Sequence, residues 1–149
     1  MIVEVVNDSS VEVALDQLRG QGEWLIKELG LHDDCELSIA LVDDERMAAL
    51  HIEYMNEPGA TDVLSFPMDD VRVAEPGEDP VPGILGDVIL CPQVAAAQGE
   101  AAGHGRDAEL ELLLTHGLLH LLGHDHQQPD EHALMFGMQD DLLMGWRNR

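Results

Sequence analysis

The stretch THGLLHLLGHDHQ, residues 115–127, constrains this chain more than any other. It is an almost unbroken leucine run that also holds four of the chain's eight histidines within eleven positions. Leucine at this spacing reads as a helix, and Gly123 supplies its stop. His116 and His120 are four residues apart, so on that helix they share one face, about 40° apart around the axis. Two imidazoles so placed reach one ion. Beyond the glycine the chain turns back, and His126, six residues after His120, has the tether to deliver a third ligand. His124 is the alternative third ligand. It directly follows Gly123, and the longer tether favours His126.

Three neutral imidazoles suit Zn²⁺ and leave the fourth coordination position open for water, which marks a catalytic rather than a structural site. One Zn²⁺ ion is therefore the expected cofactor, with His116, His120 and His126 as its ligands. Asp125 is a candidate to orient a ligand or move a proton, and otherwise reads as a solvated turn aspartate. The spacing is also that of the metzincin proteases, HExxHxxGxxH. Here the glutamate position holds Gly117. Those proteases need that carboxylate to deprotonate water at the zinc, and glycine has none. The metal cradle is present and the protease base is missing.

A length of 149 residues favours a single domain, 1–149, large enough to bury a real core. Thirty acidic residues stand against seven basic ones, of which only Lys27 is a lysine, for a formal net charge of −23. That balance promotes solubility and disfavours non-specific adhesion to DNA, RNA or anionic lipid. It can equally be the habit of a whole proteome in a high-salt cytoplasm. Cys35 and Cys91 have no CxxC partner and lie in or beside apolar runs, so they read as buried free thiols in a reducing compartment. The N-terminal MIVEVVNDSS lacks the basic flank and long apolar stretch of a signal peptide. No run approaches the ~18 apolar residues that span a membrane. The expectation is a soluble, cytoplasmic protein with no membrane partner.

The segments IVEVVND (2–8), ELSIALVD (36–43), TDVLSFPM (61–68) and ILGDVILC (84–91) read as strands. Ser9 and Glu12 form a capping-box pattern opening a first helix that carries Leu15, Leu18, Leu25 and Leu29 and ends at Gly30. DDERMAALHIEYM forms a second helix before Pro58-Gly59. Pro92 opens a third that runs to Gly103, and Asp107 is placed to cap the histidine helix. Pro129 starts a last helix with Met135, Met138 and Leu142 on one face. The acidic, Pro- and Gly-rich stretch between the third and fourth strands reads as a solvated loop. The order β-α-β-α-β-β-α-α-α predicts an α+β domain, a small mixed four-stranded sheet covered by about five helices.

With these elements in place, HGLLHLLGHDH (116–126) closely resembles the HGxLHLxGxDH block of the YbeY family, bacterial metal-dependent endoribonucleases also called rRNA maturation factors. TDVLSFPM (61–68) and LGDVIL (85–90) resemble two further blocks of that family, and the element order fits from residue 1 to about 145. The resemblance implies an α+β fold with zinc on His116, His120 and His126, and cleavage of single-stranded RNA. It also implies roles in 16S rRNA 3′-end maturation and ribosome quality control, with the small ribosomal subunit and an assembly GTPase as partners. Ser65 and Asp87 come from the two further blocks and are candidates to line the cleft; strand and turn hydrogen bonding is an equal alternative for both. Members often carry an arginine after the second helix, in a pattern like LNxxYR, that helps hold RNA phosphate. Here LHIEYM puts His51 in the asparagine place and Met55 in the arginine place. Methionine cannot pair with phosphate. Arg46, two turns earlier, is the candidate substitute, set against an ordinary exposed helix arginine. His32, His104 and His132 read as exposed or capping residues.

Sequence-independent affinity for nucleic acid comes largely from Lys and Arg, and this chain has few. Weak affinity for isolated RNA is expected, with specificity supplied by docking on a pre-ribosome. Two other classes stand beside the endoribonuclease. One is a metalloprotease-like zinc hydrolase acting on a neutral substrate. The other is a non-catalytic ribosome-assembly or metal-buffering protein.

Overall fold

Alternation of inward apolar and outward polar side chains makes the strands. In β1 (Ile2–Asn7) Val3 and Val5 point inward, and in β2 (Glu36–Leu41) Leu37, Ile39 and Leu41 do. A computed structural model of the chain, describing residues 2–149, continues these with α1 (Leu15–Glu28), α2 (Asp44–Met55), β3 (Val63–Pro67), β4 (Ile84–Leu90), α3 (Pro92–Ala102), α4 (Gly105–Leu121) and α5 (Pro129–Arg147). The sheet order is β1-β2-β4-β3. β1, β2 and β4 run parallel, while β3 pairs antiparallel with β4 at the edge, setting Ser65 opposite Val88. The mixed four-stranded sheet, the five helices and their order are those the sequence predicts.

The two faces of the sheet carry separate clusters. On one face Ile39, Val88 and Leu90 meet Leu25 of α1 and Leu114 and Leu118 of α4 in the main core. On the other, Met47 and Leu50 of α2 pack with Leu64, Val42 and Cys91. The histidine helix α4 is enclosed, with Leu110, Leu114, Leu118 and Leu119 at most 1% exposed. A helix apolar on nearly every side has no stable place at a surface, and here the sheet, α3 and α5 surround it. Each such leucine contributes about 2 kcal/mol of burial, which is what holds the polar histidine face in register. Cys35 and Cys91 are buried free thiols, as expected.

Two helix starts differ from the sequence expectation. α1 begins at Leu15 with Ala14 at its N-cap, so Ser9 and Glu12 form no capping box. Asn7, at the end of β1, captures Ser9 instead: its Oδ1 accepts the Ser9 backbone N–H at 3.0 Å and the Ser9 hydroxyl at 2.6 Å. The N-cap of α4 is His104, not Asp107, which lies within the first turn and pairs with Arg106. An acidic side chain there still complements the helix dipole. The 69–83 loop is largely exposed, yet Val71 is buried and the Asp69 carboxylate accepts the Ile84 N–H at 2.7 Å, so it is pinned at its base. Among the described residues no helix is long and apolar enough to cross a membrane.

Candidate metal centre and its cleft

Local sequence explains how α4 presents its histidines and then stops. Leu122 is the C-cap and Gly123 adopts φ 95°, a conformation that disfavours any residue with a Cβ. The Gly123 N–H bonds the His120 carbonyl at 3.0 Å and the His124 N–H bonds the Leu119 carbonyl at 3.1 Å. This pair of reversed bonds is the Schellman arrangement, and it turns the chain back over the helix end. Asp125 then accepts the His126 backbone N–H at 2.7 Å, bracing the return.

The result brings His116, His120 and His126 together. Their candidate ligand atoms all lie within 4.8 Å of one another. The Nε2 atoms of His116 and His120 face each other at 3.1 Å. Two ligands at 2.0–2.1 Å from a tetrahedral ion would stand about 3.3 Å apart, so the pair is spaced as a zinc site needs. His124 is outside this group, and its backbone serves the helix stop. Burial pushes the titration of His116 below the usual histidine value of 6.5, against the opposing bond to Gln139. Burial does the same to His120, reinforced by the neighbouring His116. Both effects favour the neutral imidazole, the form that ligates metal.

Gln139 on α5 is a part of the site that sequence reasoning missed. It is 3% exposed, and its Oε1 accepts the His116 Nδ1–H at 2.8 Å. That bond fixes the tautomer, leaving the Nε2 lone pair directed at the cluster. The available signal is a lone glutamine in the buried stripe Met135, Gln139, Leu143, Trp146. Phe136 adds a wall, its ring centroid 5.6 Å from His116 and 6.0 Å from His126.

A cleft of about 560 Å³ opens over the three histidines, bordered by the end of α2, the segment before β3, and β3 itself. His51, Met55, Glu57, Asp62 and Ser65 line it. Ser65, a predicted site residue, donates its hydroxyl hydrogen to the Gly117 carbonyl at 3.1 Å and so ties β3 to α4. Arg46 does not reach the cleft: it is exposed near the start of α2, nine residues or about 13 Å along the helix from Met55. Asp87 is also displaced. It neighbours Val88, which faces α4, so Asp87 belongs to the opposite face of the sheet and does not line the cleft. Asp125 is not a lining residue either.

Gly117 has a tertiary explanation. A Cβ there would stand 2.9 Å from Val88 Cγ1, 3.1 Å from Ser65 Oγ and 3.2 Å from Val63 Cγ2. The position that carries the protease glutamate is here pressed against the sheet, with no room for a side chain.

An α+β layer that offers three converging imidazoles beside an edge strand, with glycine in the place of the helix glutamate, defines a candidate metal-site protein distinct from the metzincins. The model of the endoribonuclease YbeY family matches residues 5–147, and the chain belongs to that family. It is 54% identical over 147 residues to the endoribonuclease YbeY of Thermobifida fusca, covering 99% of this chain and 95% of that one. With the endoribonuclease YbeY of a Nocardioides species it shares 48% identity over 149 residues, the full length of both. The solution structure of TM1509 from Thermotoga maritima has the same fold, with a TM-score of 0.67, 22% identity and coverage of 99% and 93% of the two chains.

Proposed function

We propose that this chain is a zinc-dependent endoribonuclease that hydrolyses phosphodiester bonds in single-stranded RNA. The observation that carries the reading is the convergence of His116, His120 and His126 at the floor of an open cleft. A zinc ion on those ligands would supply Lewis-acid polarisation of a phosphoryl oxygen and activation of water near neutral pH. The chain's own residues do the rest. Gln139 holds His116 in the ligating tautomer, and Asp125 braces the turn that carries His126. Asp62 is a carboxylate that lines the cleft and can take a proton. Asp125, Ser65 and Arg46 are not needed as proton carriers or phosphate contacts on this reading.

The biological substrate on this reading is the 3′ end of 16S rRNA, met on the small ribosomal subunit in the cytoplasm, with an assembly GTPase as a further partner. The net charge of −23 works against affinity for free RNA, so on this reading docking on a pre-ribosome supplies the proximity instead. Peptide hydrolysis is disfavoured by the crowding at Gly117.

Cleavage of a 16S rRNA 3′-end fragment by wild type and by zinc-loaded His120→Ala tests the reading. Cutting by the wild type, with a loss of about a hundredfold or more in a folded variant, is the expected result. Equal cutting by both would overturn it. No cutting by either, with zinc bound, would move the non-catalytic assembly factor to the front.

A further inference from the structure

Among the described residues no lysine or arginine lines the cleft. Its only side chains able to carry positive charge are four histidines, and three of them converge as one ligand set. The fourth, His51, is held differently. Its Nδ1 lies 2.9 Å from the Gly59 carbonyl oxygen and its Nε2 lies 3.2 Å from Glu57 Oε2. Both partners are acceptors only: the Gly59 carbonyl takes the Nδ1–H, and Nε2 lies within ion-pair distance of the Glu57 carboxylate.

The two members of this pair differ in freedom. The His51 side chain is 14% exposed and anchored through Nδ1 to the loop after α2, whereas the Glu57 side chain is 68% exposed. A fixed ring nitrogen thus faces a carboxylate on a solvated arm. A phosphodiester oxygen has the charge and acceptor geometry of that carboxylate.

We propose that His51 is the cleft's own contact for a substrate phosphate, and that the Glu57 carboxylate occupies that contact until a phosphodiester displaces it. The inference rests on the endoribonuclease reading of the cleft. In the complex Nδ1 keeps its bond to Gly59, Nε2 donates to a phosphate oxygen, and Glu57 swings into solvent. The contact lies in the cleft that holds the histidine cluster, so it sets which phosphate of a strand enters. Glu57 works as an internal competitor that keeps weak anions off the site.

The test uses the zinc-loaded full chain with His51→Asn, Glu57→Gln and the double variant. Asparagine keeps a donor for the Gly59 carbonyl and removes Nε2, so the loop stays anchored. Two readouts are taken: the KM and kcat for a short single-stranded RNA, and anisotropy binding of a 2′-O-methyl RNA of the same sequence, which is not cleaved. Loss of a charge-assisted bond predicts about a tenfold rise in KM and in Kd for His51→Asn, with kcat within about twofold. Glu57→Gln should lower both by roughly threefold, and should gain nothing once His51 is asparagine. An equal gain in both backgrounds would mean that Glu57 acts only by general repulsion, and the inference falls. Unchanged KM and Kd in His51→Asn, or no measurable wild-type binding, would overturn it too. If wild type binds but never cuts while His51→Asn loses binding, the phosphate contact stands and the endoribonuclease reading fails.

Discussion

The site depends on single residues whose partners lie far away in sequence, and Gln139 is the sharpest case. It stands 23 positions from His116, and its carbonyl oxygen alone satisfies the buried Nδ1–H. Gln139→Leu leaves that donor orphaned and should cost about 1–3 kcal/mol of stability. It should also weaken zinc binding by about 10- to 100-fold in a chelator competition, while Gln139→Glu, which keeps the acceptor, retains most of the affinity. Equal affinity in all three proteins would show that the bond orients nothing. Asp43 makes a second prediction. Its carboxylate accepts the Ser10 N–H at 2.9 Å and the Gln93 amide at 2.6 Å, and these bonds hold its pKa below the ordinary 3.8. Between the two values the unfolded chain binds the proton and the native chain does not. The contribution of Asp43 is therefore present above 3.8 and lost as pH falls through the depressed native value. In urea unfolding, the gap between wild type and Asp43→Ala should be constant above 3.8 and close below it. A gap that widens on acidification would contradict this.

Between elements, the close approach of α4 to β3 and β4 decides which chemistry the histidine helix can host. Alanine at position 117 would gain up to ~1 kcal/mol of helix propensity. Its Cβ would meet Val88, a stiff β-branched side chain that is fully buried, at 2.9 Å. Overpacking of this kind costs about 1–3 kcal/mol, so Gly117→Ala should be destabilised by roughly 1 kcal/mol in urea unfolding. Gly117→Glu should lose the native packing and show no peptidase activity. A variant with alanine at 117 as stable as wild type would show that the sheet yields there. The sequence marked Gly117 as a missing base, and the packing supplies the reason. The same level explains the misplaced helix starts. Ser9 with Glu12 has the local pattern of a cap, but Asn7 at the strand end offers Ser9 a nearer partner.

At the scale of the whole molecule, charge dominates. Thirty acidic residues against seven basic ones repel one another across the surface. Raising salt from about 0.05 to about 0.5 M shortens the screening length from roughly 14 to roughly 4 Å, so the thermal midpoint should rise with salt. A falling midpoint would mean that surface ion pairs outweigh the repulsion. Affinity for free single-stranded RNA should be weak and should depend only shallowly on salt, since few phosphates find a cation. A steep slope in a salt titration would contradict that.

Periodicity, turn residues and the leucine run were enough to place four strands and five helices in order, because those signals act over a few residues. The spacing of His116, His120 and His126 around Gly123 likewise carries the metal cluster in the chain itself, since a helix turn and a Schellman stop are local structures. What lies around that cluster is non-local. Whether Ser65 or Asp87 reaches the cleft depends on which face of the sheet meets α4. Whether Arg46 can substitute at the end of α2 depends on the length of a helix and not on its composition. Gln139, Glu57 and the clamp on His51 arise from chain segments that only the packed core brings together. Local physics determined the three-histidine cluster and the elements that carry it; only the tertiary packing decided what orients those imidazoles, what lines the cleft, and why position 117 admits no side chain.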